Sequence, residues 1–349
     1  MSYERTTLRS DPDEDTILKI RDLSVSFEMD RGTSRVLNDV DLNVRRGEIL
    51  GVVGESGSGK SMLASALLDA VVEPGITDGT ITYNPTGDRE IDILDMSDDE
   101  LREFRWEEIS MVFQGALSSF NPTQDIGEHF EETLEAHDYP LEPGMERAAE
   151  LLEDLYLDPD RVFNSYPNEL SGGMKQRALI GLSLVLEPEV LVMDEPTAAL
   201  DLLMQRSIIS LLAEIREKYD LTMIFITHDL PLVTKLADRI GVLYAFELAE
   251  LAGTEEILKN PRHPYTRALL NATPNLDAPL EEMRPIPGSA PDPVNVPSGC
   301  PYHERCPMAT AECEYDKPLM EHVSEDHEVA CHHWTDVDEA VPLTTEVEQ

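Results

Sequence analysis

Near the start of the chain, apolar residues recur at almost every second position: Leu18, Ile20, Leu23, Val25 and Phe27, then Val40, Leu42 and Val44. Successive side chains of a strand point to opposite faces. This spacing therefore predicts antiparallel strands with one buried face, joined by a turn at Arg31-Gly32-Thr33. The pattern then becomes continuous. Glu48 to Val53 reads as a short buried strand, and Met62 to Leu68 as a helix. Ile81 with Tyr83 and Ile91 with Ile93 predict two more short strands. Ser97-Asp98-Asp99-Glu100 has the reciprocal hydrogen-bonding pattern that opens a helix, here expected through Phe104.

Ile109 to Phe113 predicts another strand. From Gly115 to Asn168 the texture is helical and acidic, broken by Pro122, Pro140, Pro143 and Pro159, as in a helical insertion between two halves of a sheet. Sheet texture then returns at Val190 to Met193 and Thr222 to Ile226, with a helix expected over Leu202 to Lys218. Strands that alternate with helices imply a largely parallel sheet, and such sheets bind ligands at their strand C-terminal ends.

At 349 residues the chain accommodates two domains or one large domain with an appendage. Its 41% apolar content supports a true core, so the net charge of −43 does not signal general disorder. Such a surface repels nucleic-acid phosphates and argues against a broad DNA- or RNA-binding role. Seven of the 27 basic residues are Lys. Excess carboxylate with scarce Lys resembles proteins of salt-loving archaea, where salt screens the self-repulsion. No apolar run reaches the length of a membrane span, and the polar start, with Asp11, Asp13, Glu14 and Asp15, does not read as a signal peptide.

Chemistry concentrates where the predicted strands end. Between the strand at 48–53 and the following helix lies Gly54-Glu55-Ser56-Gly57-Ser58-Gly59-Lys60-Ser61, a loop whose backbone N–H groups would wrap phosphate oxygens. Glycine lets the backbone approach an anion because no Cβ intervenes. Lys60 would reach the β- and γ-phosphates, and the Ser61 hydroxyl would ligate Mg²⁺. Gln114, Asp194 and His228 each follow a strand as well. Asp194 would hold the metal, Glu195 would polarise an attacking water, Gln114 would touch both, and His228 would contact the γ-phosphate. Phe27 suits stacking on a base and packing in a core equally well. Ser171 is a good N-cap, and Gly172 and Gly173 after it leave amides uncovered at a second helix start. Two anion-binding helix ends in one chain suggest that each nucleotide lies between two protomers.

These segments resemble, in order and spacing, the motifs of ABC-type ATPases over residues 16 to about 259. Gly54 to Ser61 matches the Walker A loop and Gln114 the Q-loop. Leu170-Ser171-Gly172-Gly173-Met174 matches the signature, and Leu191 to Glu195 the Walker B motif. Ala199-Leu200-Asp201 matches the D-loop and His228 the switch histidine. The resemblance implies an α/β fold, a P-loop ABC-type nucleotide-binding domain of mostly parallel sheet with antiparallel β and helical subdomains. It implies ATP and Mg²⁺ as ligands, Glu195 as catalytic base with Lys60 and His228 assisting, and Phe27 as the adenine-stacking residue. It further implies a head-to-tail dimer with a second homologous ATPase, two transmembrane permease subunits and an extracytoplasmic solute-binding protein. The expected location is the cytoplasmic face of the membrane. Two departures stand out. Met174 replaces the commoner Gln, and Phe246 in Tyr244-Ala245-Phe246 replaces the usual Gly of a tight turn.

Beyond Lys259 the sequence becomes Pro-rich, with Pro285, Pro287, Pro291, Pro293 and Pro297, and it holds all four cysteines. Cys300, Cys306, Cys313 and Cys331 follow the pattern C-x5-C-x6-C-x17-C. Four thiols in a segment with few apolar residues suit a metal site. Spacing and the two Cys-Pro pairs favour a [4Fe–4S] cluster over zinc, whose usual close cysteine pair is absent; free thiols are the third option. Asn260 to Arg267 and Cys300 to Pro307 resemble the C-terminal extension of oligopeptide/dipeptide importer ATPases, some of which hold an iron–sulfur cluster on such cysteines. The expected organisation is an acidic tail over 1–15, an ABC ATPase domain over 16–258 with a helical subdomain at about 115–170, an importer-type extension over 259–334, and an acidic tail over 335–349. The expected function is to energise import of peptides, with nickel or another small solute as the alternative. A soluble ATPase acting on nucleic acid or ribosomes and a non-catalytic interaction subunit are the competing classes. The acidity disfavours the first of these, and the intact Lys60, Asp194, Glu195 and His228 disfavour the second.

Overall fold

The computed structural model describes residues 15–85, 89–115, 119–198, 200–272 and 286–343. The chain start up to residue 14, Ala199, Pro285 and the acidic end from residue 344 lie outside the described residues.

The alternating segments form an antiparallel sheet. Strand β1 (Thr16–Met29) pairs with β2 (Gly32–Arg45). The turn between them is shorter than the three residues expected, because Gly32 at φ +123° already opens β2. Along β1 the buried positions change parity, from Leu18 and Ile20 to Leu23 and Val25. The cause is a bulge: Asp22 sits at φ +50° and the register shifts between Ile20 and Leu23, which returns the later residues to the core face. The buried run Ile49–Val53 is β3. β4 (Gly75–Tyr83) then pairs with β1, and β5 (Ile91–Asp92) completes the order β2-β1-β4-β5. Ile93 leaves the strand predicted for it and starts a 3-10 turn, capped by the Asp92 side chain.

A second, eight-stranded sheet uses β3 with β6 (Ile109–Val112), β7 (Val190–Asp194), β8 (Thr222–Ile226), β9 (Arg239–Tyr244), β10 (Glu247–Gly253), β11 (Glu321–Ser324) and β12 (His327–Val329). Their order is β11-β12-β10-β9-β3-β8-β7-β6. The β9-β3-β8-β7-β6 portion is parallel. Every residue of β3, β7 and β8 is buried, which is why these strands read as continuous apolar runs. Register levels their C-terminal ends: Val52 stands beside Ile226, Ile226 beside Asp194, and Val112 beside Met193. The residues that follow these strands therefore meet at one edge.

Helix α1 (Lys60–Ala66) follows β3, and α2 (Asp98–Glu107) opens on the expected reciprocal cap between Ser97 and Glu100. The regular part of α2 ends at Phe104, since Arg105 and Trp106 leave helical geometry. The acidic insertion folds as α3 (Ile126–Ala136), α4 (Leu141–Asp154) and α5 (Pro159–Phe163). Their apolar faces close on Phe130, Leu134, Leu151 and Leu152, with Phe130 and Phe163 edge to face at 5.6 Å. α6 (Gly172–Leu184) and α7 (Leu202–Tyr219) return the chain to the sheet. Among the described residues no helix is long and apolar enough to cross a membrane.

The Pro-rich C-terminal segment is fastened to the large sheet by β12, antiparallel to β10. Beneath that junction Glu250 is fully buried. Its carboxylate accepts the Arg262 backbone N–H and the His263 backbone N–H at 3.1 Å, and lies 2.7 Å from His327 Nε2. Burial holds the His263 ring neutral, with its pKa pushed down to about 4. One side chain thus satisfies three groups from two separate parts of the segment. Removing it would strand two backbone donors and an imidazole, so Glu250→Ala is expected to cost about 3–5 kcal/mol. Urea unfolding at neutral pH measures the loss, and a midpoint unchanged from wild type would show that the junction tolerates unpaired groups.

Candidate active site

The loop from Gly54 to Ser61 joins β3 to α1, at the levelled end of the sheet. Two of its glycines are required sterically. A Cβ on Gly54 would lie 2.2 Å from the Leu243 carbonyl oxygen, and one on Gly59, at φ +103°, would lie 2.5 Å from the Val36 carbonyl oxygen. Lys60 is buried, and its Nζ donates to the carbonyls of Gly54 and Glu55, each at 2.9 Å. Burial lowers its pKa, while Glu195, Asp194 and Glu55 oppose that shift. The ammonium is therefore parked on the loop that would cradle the phosphates.

Asp194 ends β7 with 3% of its surface exposed, and its Oδ1 has no hydrogen-bond partner. Burial raises its pKa and neighbouring Glu195 adds to the shift; a hydrogen bond with Ser61 and the charge of Lys60 oppose it. A buried carboxylate with one satisfied and one orphan oxygen, beside a serine hydroxyl, fits a hard cation such as Mg²⁺. Glu195 follows at φ +51°, a strained backbone for a side chain of this size. Its N–H donates to the Ile226 carbonyl at 2.9 Å, which ties the strained residue to β8. The carboxylate Oε1 lies 2.7 Å from His228 Nδ1, and the histidine itself is exposed.

These groups face an open cleft of about 590 Å³, also lined by Val36, Ser56, Gly57, Met62, Gln114 and Phe246. That size suits a nucleotide-scale ligand. Lys60, Ser61, Gln114, Glu195 and His228 therefore come together, and Asp194 sits behind Ser61. Other residues expected here do not line the cleft. Ser58 is buried beneath the loop, its carbonyl accepting the Phe246 N–H at 3.2 Å. The carboxylate of Glu55 turns toward the C-terminal segment, where Arg305 meets it. Phe27, expected to stack on a base, packs into the small sheet: a Cβ on Gly75 would sit 2.9 Å from its ring. Phe246 is an aromatic residue that does line the cleft. Ala245 at φ +48° and Phe246 at φ +74° form a two-residue hairpin turn between β9 and β10. Burial of the Phe246 side chain beside the loop offsets the unfavourable φ.

Ser171 caps α6, accepting the Met174 N–H at 3.3 Å. Ser171 and Gly172 are exposed and stand away from the cleft wall, so they are free to meet another molecule. A Cβ on Gly173 would strike Met204 Cε at 1.8 Å, so that glycine packs α6 against α7. Asp201 caps α7, accepting the Leu203 and Met204 N–H groups at 3.0 Å each.

The four cysteines converge on one small cavity, shared with His263, Tyr302, His303, His332 and His333. None forms a disulfide. Burial raises the thiol pKa of Cys300 and Cys306 to about 11 and that of Cys331 to about 12. Among the described residues, the group whose three ligand atoms lie within 4.8 Å of one another is the exposed Glu312 and Asp316 with the half-buried His332; no three of the cysteine sulfurs meet that spacing. Tetrahedral zinc, with Zn–S near ~2.3 Å, would bring its sulfurs closer than this.

Comparison with known proteins agrees with this geometry. Residues 37–198 match the family described as ABC transporter, and residues 249–313 match the family described as oligopeptide/dipeptide transporter, C-terminal region. The dipeptide transport ATP-binding protein DppD of Caldanaerobacter subterraneus is 41% identical over 90% of this chain and 96% of its own length. The oligopeptide transport ATP-binding protein OppD of Escherichia coli is 38% identical over 88% of this chain and 90% of its own length. Among solved structures, the dimeric ABC transporter cassette MJ0796 is 29% identical with a TM-score of 0.59, covering 68% of this chain and 98% of that one. The same cassette was solved in a post-hydrolysis state bound to ADP and Pi, at 28% identity over the same shares and the same TM-score.

The buried, half-satisfied carboxylate of Asp194 carries a stability cost that a cation would relieve. Asp194→Asn is accordingly expected to raise the melting temperature of the nucleotide-free chain while abolishing the further rise produced by Mg²⁺ with nucleotide. Thermal unfolding with and without Mg²⁺–nucleotide reads both effects; an unchanged Mg²⁺-dependent rise would remove Asp194 from cation binding.

Proposed function

This chain belongs to the ABC transporter ATPases that carry the oligopeptide/dipeptide transporter C-terminal region, and from that premise we propose that it energises the import of peptides across a membrane. It is an ABC-type ATPase. The observation that carries the mechanism is the meeting of Lys60, Ser61, Gln114, Glu195 and His228 around one cleft with Asp194 behind it.

The loop amides and Lys60 bind the phosphates of ATP. Ser61, Asp194 and Gln114 would hold Mg²⁺, which would supply neutralisation of the charge that builds on the phosphate oxygens. Among the described residues that line the cleft, Glu195 is the only carboxylate; it orients the attacking water, taking its proton as the γ-phosphate bond opens. His228, 2.7 Å from Glu195, fixes the carboxylate before ATP arrives and is placed to turn its other ring nitrogen to the γ-phosphate.

One chain offers only part of a closed site. Ser171 and Gly172 present free amides on α6, and two exposed leucines, Leu202 and Leu203, follow Asp201. Both features suit a head-to-tail partner, a second homologous ATPase subunit whose cleft receives Ser171 to Met174. The partners across the membrane would be two permease subunits, fed by an extracytoplasmic solute-binding protein. Exposed Phe113 beside Gln114, next to the helical insertion, supports docking of a permease there and a position on the cytoplasmic face. The strongly acidic surface argues against nucleic acid as the partner. Peptides are the favoured cargo because the relatives over nine-tenths of the chain are dipeptide and oligopeptide transport proteins.

Cys300, Cys306, Cys313 and Cys331 are assigned to a [4Fe–4S] cluster. Their convergence on one cavity supports it, and the cluster would tie together a segment with little core of its own. Because burial raises the pKa of the Cys300, Cys306 and Cys331 thiols, loading must release their protons.

Glu195→Gln is expected to keep ATP binding while lowering turnover by about 10²–10⁴-fold and accumulating a closed dimer. Hydrolysis at the wild-type rate in that variant would exclude Glu195 as the base. The chain isolated without oxygen is expected to be brown, and reloading of the stripped chain in weak buffer to acidify the solution. A colourless preparation with one zinc per chain would overturn the cluster.

A further inference from the structure

The cysteine-bearing segment reaches the phosphate loop at Glu55. Arg305, next to Cys306, grips Glu55 with two parallel hydrogen bonds: Nη1 to Oε2 and Nη2 to Oε1, each 2.8 Å. The pair is well shielded, with 7% of the Arg305 side chain and 22% of the Glu55 side chain exposed. Arg305 is itself held on all sides. Its Nε donates to the Pro287 carbonyl at 2.6 Å, its Nη1 lies 3.2 Å from the Tyr244 hydroxyl, and its guanidinium carbon lies 5.6 Å and 5.8 Å from the ring centres of Tyr244 and Tyr302. From the same segment, the Tyr265 hydroxyl accepts the backbone N–H of Glu55 at 2.9 Å. Tyr244, Tyr265 and Tyr302 pack against one another with ring centres 4.5–5.5 Å apart, so the two grips share one rigid support.

Glu55 is the second residue of the loop, and its carbonyl is one of the two that hold the Lys60 ammonium. The C-terminal segment thus clamps Glu55 by its carboxylate and its N–H, leaving the carbonyl aimed at the lysine. We infer that Arg305, with Tyr265, is a positioning residue for ATP binding: it fixes the phosphate loop through Glu55 so that the loop carbonyls present Lys60 to the β- and γ-phosphates. The physical reason is that a glycine-rich loop has many conformations to lose on binding an anion, and a planar, bidentate clamp removes them beforehand. A lysine in place of Arg305 would keep the charge and lose the fork.

This inference rests on the ATPase reading, and the test separates the two. In the full-length chain, Arg305→Lys and Glu55→Gln are each expected to raise the KM for ATP and weaken Mg²⁺–ATP binding about tenfold, the equivalent of one charge-assisted bond. Turnover at saturation should stay within about twofold, because the loop still closes on bound phosphate. The double variant should be no worse than either single one, since both remove the same clamp. Metal content per chain and the melting temperature without nucleotide report whether the segment itself is intact; if Arg305→Lys fails there, the isosteric Glu55→Gln decides alone. Wild-type KM in Glu55→Gln, or losses that add in the double variant, would overturn the clamp. A wild-type chain that neither binds nor hydrolyses ATP would overturn the ATPase reading instead.

Discussion

A polyphosphate can be held and cut only where amide dipoles, a cation, a metal-binding carboxylate and a base meet within a few ångströms. Here the shared register of β3, β8, β7 and β6 makes them meet. These strands end level with one another, so the phosphate loop, His228, Asp194 with Glu195, and Gln114 emerge along one edge. Complete burial of β3, β7 and β8 makes that register costly to change, because a slip would break the sheet's hydrogen bonds and its packing together.

The same edge contains groups that a fold would avoid if stability were its only demand. Asp194 keeps an unsatisfied oxygen in the interior, Glu195 sits at positive φ, and Lys60 is buried on carbonyls. Each arrangement is unfavourable in the empty chain, and each is one that a bound phosphate or cation would relieve or use. The sheet core supplies the stability that tolerates them. Phe246 follows the same logic on a smaller scale: its strained turn persists because its ring is buried beside the loop.

The C-terminal segment is joined to the ATPase body through three kinds of contact. β12 extends the large sheet, the buried Glu250 gathers donors from 262, 263 and 327, and Arg305 and Tyr265 reach the phosphate loop. The cysteine cavity lies in the same aromatic neighbourhood, since Tyr302 lines it and also packs on Tyr244. A segment poor in apolar residues is thereby ordered by polar contacts to an existing core.

Much of this was legible in the chain. Alternation located β1 and β2, continuous apolar runs located β3, β7 and β8, and the glycines, caps and strand-end residues pointed to the groups that meet at the cleft, because all of these signals are local. What the tertiary structure alone decided involves partners far apart in sequence. Phe27 and Phe246 are both aromatic residues near turns, and only the packing of Gly75 against one and the cleft against the other separates them. The parity change at Asp22 needed the facing strand, and the fate of Ile93 needed the Asp92 cap. Glu55 reads as an anonymous position in a phosphate loop; its role depends on Arg305, 250 residues away. Local hydrophobic period and backbone chemistry are written into neighbouring residues, whereas a clamp, an orphan oxygen or an aromatic residue lining a cleft exists only once distant segments share one space.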